Sequence, residues 1–163
     1  MGKKKQSSSK KGIIILIGCA LVIIAGIFVA TAIKNGGSVS AGDLVISKSE
    51  VTEKAKFYPY NADGTRMEIL AVRAGDGSIR TAFNTCQVCN GSPRAYFKQQ
   101  GEFLVCQNCG NSFSMDMVEQ ERGGCNPVPI TKDEKTDDGT NIIISRDFLL
   151  QNKDLFPANW KTR

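Results

Sequence analysis

Two Cys-x-x-Cys units constrain this chain more than any other feature. Cys86-Gln87-Val88-Cys89 and Cys106-Gln107-Asn108-Cys109 are separated by 16 residues. Each turn can aim two sulfurs at one point, and two such turns on adjacent hairpins bring four thiolates together. Pairs at this distance fit structural Zn, a single Fe or an iron–sulfur cluster. Gly110, directly after the second pair, suits the positive φ that such a turn needs. Two other uses of the spacing stay open: disulfides, or a dithiol redox pair. Asn90-Gly91-Ser92-Pro93 does not open a helix and no βαβ pattern surrounds it, which counts against the dithiol. The sequence has no His. That excludes His-based acid–base catalysis, Ser-His-Asp and Cys-His nucleophiles and every His-ligated metal. No phosphate loop, no carboxylate pair in a catalytic context and no signature of a small-molecule substrate site is evident, so no catalytic residue is assigned. The chain reads as a redox carrier or binding protein rather than a turnover enzyme.

The N-terminus reads as a membrane address. Gly12 to Ile33 carries no charge and is rich in Ile, Val, Leu and Ala. At about 1.5 Å per residue a helix of this length crosses a hydrocarbon core of ~30 Å. Residues 1–12 form a basic tail, 13–33 the transmembrane anchor, 34–42 a Gly/Ser linker and 43–163 the exported domain. Lys3, Lys4, Lys5, Lys10 and Lys11 precede the span, so the N-terminus is expected in the cytoplasm and the domain outside it, on a single-pass cell-membrane protein. Ala30-Thr31-Ala32 leaves cleavage as a signal peptide open, and Leu16-Ile17-Gly18-Cys19 only loosely matches a lipid-attachment box. The five lysines account for the entire net charge of +5 among the 163 residues. The remainder is balanced and offers no basic excess for nucleic acid.

Beyond the linker the pattern is short strands. Leu44–Ser47, Lys56–Tyr60, a run from Met67 with a shift of register at Val72, Ile79–Phe83 and Asn141–Ser145 are expected strands. Turns fall at Asn61-Ala62-Asp63-Gly64 and Gly75-Asp76-Gly77. Arg94–Lys98 and Phe103–Val105 should form a hairpin that carries the two Cys pairs together. Arg146–Lys153 is an expected short helix, and Thr131–Thr140 a charged surface loop. The predicted fold class is mainly β: a small sandwich or barrel whose hairpins bear the Cys-x-x-Cys loops, preceded by one transmembrane helix.

Cys106 to Phe113 resembles the second cluster loop of Rieske proteins, Cys-x-x-His-Gly-x-x-Phe, with Cys109 where the His would stand. Gly124-Cys125-Asn126-Pro127-Val128-Pro129 falls where Rieske domains carry a proline-containing loop over the cluster. More closely, the run from Ala82 to Ile130 is similar to the FtrD-like family of membrane iron–sulfur proteins, through Ala-Phe-Asn-Thr-Cys-Gln-Val-Cys, Cys-Gln-Asn-Cys-Gly and Gly-Gly-Cys-Asn-Pro. The resemblance implies a Rieske-like β domain with an iron–sulfur cluster, [2Fe–2S], on Cys86, Cys89, Cys106 and Cys109. Zn remains the alternative. It also implies electron transfer with a redox protein partner, beside a ferrous-iron permease and a periplasmic ferroxidase. A single span cannot itself form a transport path. An all-Cys ligand set implies a low potential, near the roughly −400 mV of plant-type ferredoxins, and no pH dependence. Cys125 stays open between an alternative ligand, half of a disulfide and a packed, inert thiol. Met115 and Met117, alternating on a strand-like segment, read as core rather than copper ligands. Asp133, Glu134, Asp137 and Asp138 read as a solvated acidic face.

Overall fold

The computed structural model describes residue 2 and residues 42–162. The basic tail, the anchor expected at 13–33 and nearly all of the linker lie outside the described residues. Among those described, no helix is long and apolar enough to cross a membrane.

The central layer is a four-stranded antiparallel sheet. Its strands are β2 (Lys56–Ala62), β3 (Thr65–Arg73), β4 (Ile79–Cys86) and β8 (Pro127–Ile130), adjacent in that order. The β2–β3 turn is the two-residue Asp63-Gly64, with φ of 50° and 93°. Positive φ at both positions is the type I′ geometry whose twist matches the flanking strands. Pro59 sits inside β2 opposite Glu68, which an edge strand tolerates because its missing N–H faces away from the ladder.

One outer sheet joins β1 (Leu44–Ser47), β10 (Asn141–Ile144) and β9 (Thr136–Asp137). The other is a meander of β5 (Phe97–Gln100), β6 (Phe103–Cys106) and β7 (Ser112–Ser114). A core fills each face of the central sheet. Met67, Ile69, Ala71 and Phe83 pack with Ile46, Ile142, Ile144, Leu149, Phe156 and Trp160. Leu70, Val72, Ala82 and Cys86 pack with Phe97, Leu104, Cys106 and Phe113. Helix α1 (Arg146–Gln151) is capped by Ser145, whose side chain accepts the Phe148 N–H, and it closes the first core.

The mainly β expectation holds. No sheet among the described residues closes on itself; the strands form layers. Several particulars differ. β3 runs without the shift of register expected at Val72. Its apolar residues change sides because both sides are cores, not because the strand slips. Pro127–Ile130 is a strand, not a free loop. It pairs at the sheet edge with β4, where prolines are admissible, across a bulge between Phe83 and Cys86. Met115–Met117 is a single 3-10 turn instead of a strand. The stretch 131–140 is more than a loop, because Thr136–Asp137 pairs with β10. Three of its four acidic groups are engaged: Glu134 caps Thr131, Asp137 pairs with Lys48 and Asp138 accepts from Thr140 and Asn141.

Asp76 organises the β3–β4 turn. Its carboxylate accepts from the Ser78 hydroxyl, the Ser78 N–H and Arg80, and these bonds lower its pKa to about 2. The folded value lies below the unfolded one, so the contribution is complete above pH ~4 and is lost as pH falls toward 2. An NMR titration of the Asp76 carboxyl should show that low midpoint; a midpoint near 4 would mean that the turn does not hold the carboxylate.

Candidate metal centre

Three loops build the site. Cys86 ends β4 and Cys106 ends β6, so the first thiol of each Cys-x-x-Cys unit is delivered by a strand and buried in the second core, 0% and 1% exposed. Both loops hang on the start of β5: the Cys86 N–H donates to Ala95 O at 3.1 Å and the Gln107 N–H to Tyr96 O at 2.8 Å. Buried Asn84 fixes β5 against β4. Its side chain accepts the Phe97 N–H at 2.8 Å and donates to Glu68 Oε1 at 2.6 Å. The Ser92 and Asn108 side chains meet at 2.7 Å across the two Cys loops.

The third loop, between β7 and β8, carries Cys125. Gln87 holds it from both sides. The Gln87 N–H donates to Asn126 O at 3.0 Å, and its side-chain oxygen accepts the Gly123 N–H at 3.0 Å. Asn111 donates to Cys125 O at 3.4 Å. Gly123 and Gly124, at φ 97° and 68°, take the left-handed conformations that fold the loop back over the first one. The loop begins at Glu119, itself at φ 69°. Its carboxylate accepts the Thr81 N–H at 3.0 Å and pairs with Lys135, and both side chains are only 6% exposed.

The sulfurs of Cys86, Cys89, Cys109 and Cys125 all lie within 4.8 Å of one another. Cys106 is outside this tightest group, and its thiol is close enough to Cys109 for each to shift the other's pKa. Of the sequence-derived set, Cys86, Cys89 and Cys109 come together, and the fourth place in the tight group is taken by Cys125, not by Cys106. All five are free thiols. Cys86 and Cys106 are buried, Cys89 and Cys125 half-buried, and Cys109 exposed.

The electrostatics follow that gradient. Burial pushes the Cys86 and Cys106 thiols up, against the N–H groups of Val88 and Cys89 at one sulfur and of Asn108 and Cys109 at the other. Cys109 is lowered to about 7, first by the Asn111 N–H and then by thiol hydrogen bonds from its neighbours. The hydrogen bond to Cys109 pushes Cys125 up. Gly110, at φ 76°, gives the turn behind Cys109 its curvature, as expected. Backbone N–H donors aimed at sulfur disperse thiolate charge, the environment a soft thiophilic metal needs. A set of thiols with no carboxylate or imidazole fits iron–sulfur or Zn and does not fit a hard cation.

Sequence reasoning missed Asn84, Gln87, Asn111, Glu119 and Lys135. For Gln87 a signal existed: Gln occupies the same place in both Cys-x-x-Cys units.

Convergent free thiols on three mutually bonded loops, without His or carboxylate, define a thiolate metal-binding protein. The model of the family described as membrane iron-sulfur containing protein FtrD-like matches residues 50–156. The chain belongs to that family, of membrane iron–sulfur proteins. No curated protein and no solved structure matches it.

Proposed function

We propose that the protein is a membrane-anchored, extracytoplasmic electron carrier with an iron–sulfur centre, [2Fe–2S], accessory to ferrous-iron uptake or oxidation. The observation that carries this reading is the convergence of the free thiols of Cys86, Cys89, Cys109 and Cys125, with buried Cys106 ending the neighbouring strand, at a site graded from buried Cys86 to exposed Cys109. Cys86, Cys89, Cys106 and Cys109 would hold the cluster, which supplies one-electron exchange when bound. The chain's own residues do the rest. Leu104, Phe97 and Ala82 exclude water from the inner thiols, and the N–H groups of both Cys turns steady the sulfur charge. Cys109 and Val88, which is 65% exposed between Cys86 and Cys89, form the face that a redox partner would meet. The Rieske likeness of the second loop supports the same placement. The anchor at 13–33 would keep the domain beside a membrane partner such as an iron permease.

One observation favours a second reading. Sulfurs around a single tetrahedral Zn, at bonds of about 2.3 Å, stand roughly 3.8 Å apart. Four thiols within 4.8 Å of one another suit that size, so a Zn-stabilised structural domain is the alternative.

Metal and sulfide analysis of the full chain, purified without air, separates them. The proposal expects absorbance at roughly 400–550 nm with about two iron and two acid-labile sulfide per chain, and a midpoint near −400 mV that does not move with pH. A colourless protein with one Zn would replace it by the structural reading, and a pH-dependent or positive midpoint would overturn the all-Cys cluster.

A further inference from the structure

Five thiols stand where the ligand set proposed above uses four, and the fold holds the fifth, Cys125, inside the tight group beside exposed Cys109. Cys125 lies within 4.8 Å of Cys86, Cys89 and Cys109. It is not there by accident of a loose loop. Gln87, one residue from Cys86, bonds to Gly123 and Asn126 on either side of it, and Asn111, two residues from Cys109, bonds to its own carbonyl. The two left-handed glycines before it are required to bring the chain back at that point. Its neighbour Cys109 is the exposed member of the group, whereas Cys86 is fixed at a strand end and packed in the core.

We propose that Cys125 is an exchangeable ligand, so that the solvent-facing position of the centre is filled by either Cys109 or Cys125 while Cys86, Cys89 and Cys106 stay bound. The inference rests on the ligand set proposed above, with Cys86, Cys89 and Cys106 as its constant members. The exchange balances. One metal–sulfur bond breaks at Cys109 and one forms at Cys125, the proton of the Cys125 thiol passes to the Cys109 sulfur, and no electron changes hands. The centre thereby stays four-coordinate when its exposed thiol leaves.

Alkylation of the metal-loaded full chain with iodoacetamide, followed by peptide mapping, tests this on the native protein. The label should divide between Cys109 and Cys125, together about one per chain, with Cys86, Cys89 and Cys106 protected; label on Cys106 instead would mean that Cys109 and Cys125 are bound together and would overturn exchange. Label confined to Cys125 would make it a bystander, and label confined to Cys109 would make Cys125 a permanent ligand; either result overturns exchange. Alanine variants give a second reading. Cys109→Ala and Cys125→Ala should each keep metal within about twofold of the parent, while the double variant falls by about tenfold or more. Cys109→Ala as empty as the double variant, with a native circular dichroism spectrum, would also overturn it. Counting iron, sulfide and zinc together keeps the two ideas apart. Zinc in every sample defeats the electron-carrier reading and leaves the exchange to be judged on the same labels.

Discussion

Replacing Glu119 by Ala is expected to destabilise the protein by about 3–5 kcal/mol, the cost of leaving a buried partner charge uncompensated. The carboxylate is 6% exposed, as is the Lys135 side chain it pairs with. Removing it strands the Lys135 ammonium, which keeps only the Thr81 hydroxyl at 2.9 Å, and it also frees the Thr81 N–H of β4. Lys135→Met alone should cost a similar amount for the mirror reason. The combination Glu119→Leu with Lys135→Met should recover most of the loss, because an apolar pair of similar volume replaces a desolvated ion pair at little net cost. Urea unfolding at fixed metal occupancy reads all three. A loss under about 1 kcal/mol for Glu119→Ala would mean the pair behaves like an exposed one, and the idea that it clamps the third loop would fail.

Cys86→Ala should empty the metal centre and loosen one half of the protein. Cys86 serves two purposes at once. It is fully buried among Leu70, Val72, Ala82, Phe97 and Leu104, and it is a member of the tight thiol group. Its loss removes the buried thiol of that group, and metal binding in such sites is also folding free energy, about 10–16 kcal/mol for structural Zn. Metal per chain should fall by about tenfold or more, and a chelator should bring the parent to the same state. Hydrogen exchange should quicken in β5, β6 and β7 and change little in β1 and β10, which border the other core. A Cys86→Ala protein that keeps its metal would remove Cys86 from the ligand set.

Local chemistry is what the sequence made legible. Asp63-Gly64 can do little but turn, the run from Asn141 is β-branched, and the helix expected over Arg146–Lys153 forms over Arg146–Gln151, with Ser145, expected to end the strand, as its cap. The convergence of the two Cys turns followed from the hairpin between them, which proved tighter than anticipated, with β5 beginning only at Phe97. What stayed hidden depends on partners distant in the chain. The sidedness of β3 needs knowledge of two cores, since Leu70-Ala71-Val72 has no period. Pro127 and Pro129 argue against a strand until β8 is known to lie at an edge. Glu119 and Lys135 are ordinary surface residues by composition, and only the tertiary fold buries them. The place of Cys125 depends on Gln87, distant in sequence and adjacent in space.

A strand with apolar residues on both faces carries no instruction about which face is which. For most half-buried strands a slip of one residue would turn the greasy side to water and be rejected. β4 lacks that check: a slip would carry Phe83 into the core that holds Cys86, and Cys86 into the core that holds Phe83, with apolar surroundings at either address. The alignment of β4 is therefore decided by its polar groups, by buried Asn84 on Phe97 and Glu68 and, at its other end, by the turn in which Asp76 gathers Ser78 and Arg80 and Ala74 bonds to Ser78. A carboxylate at the far end of the strand and an amide inside it thus work as the two marks from which the first sulfur of the metal centre is measured out.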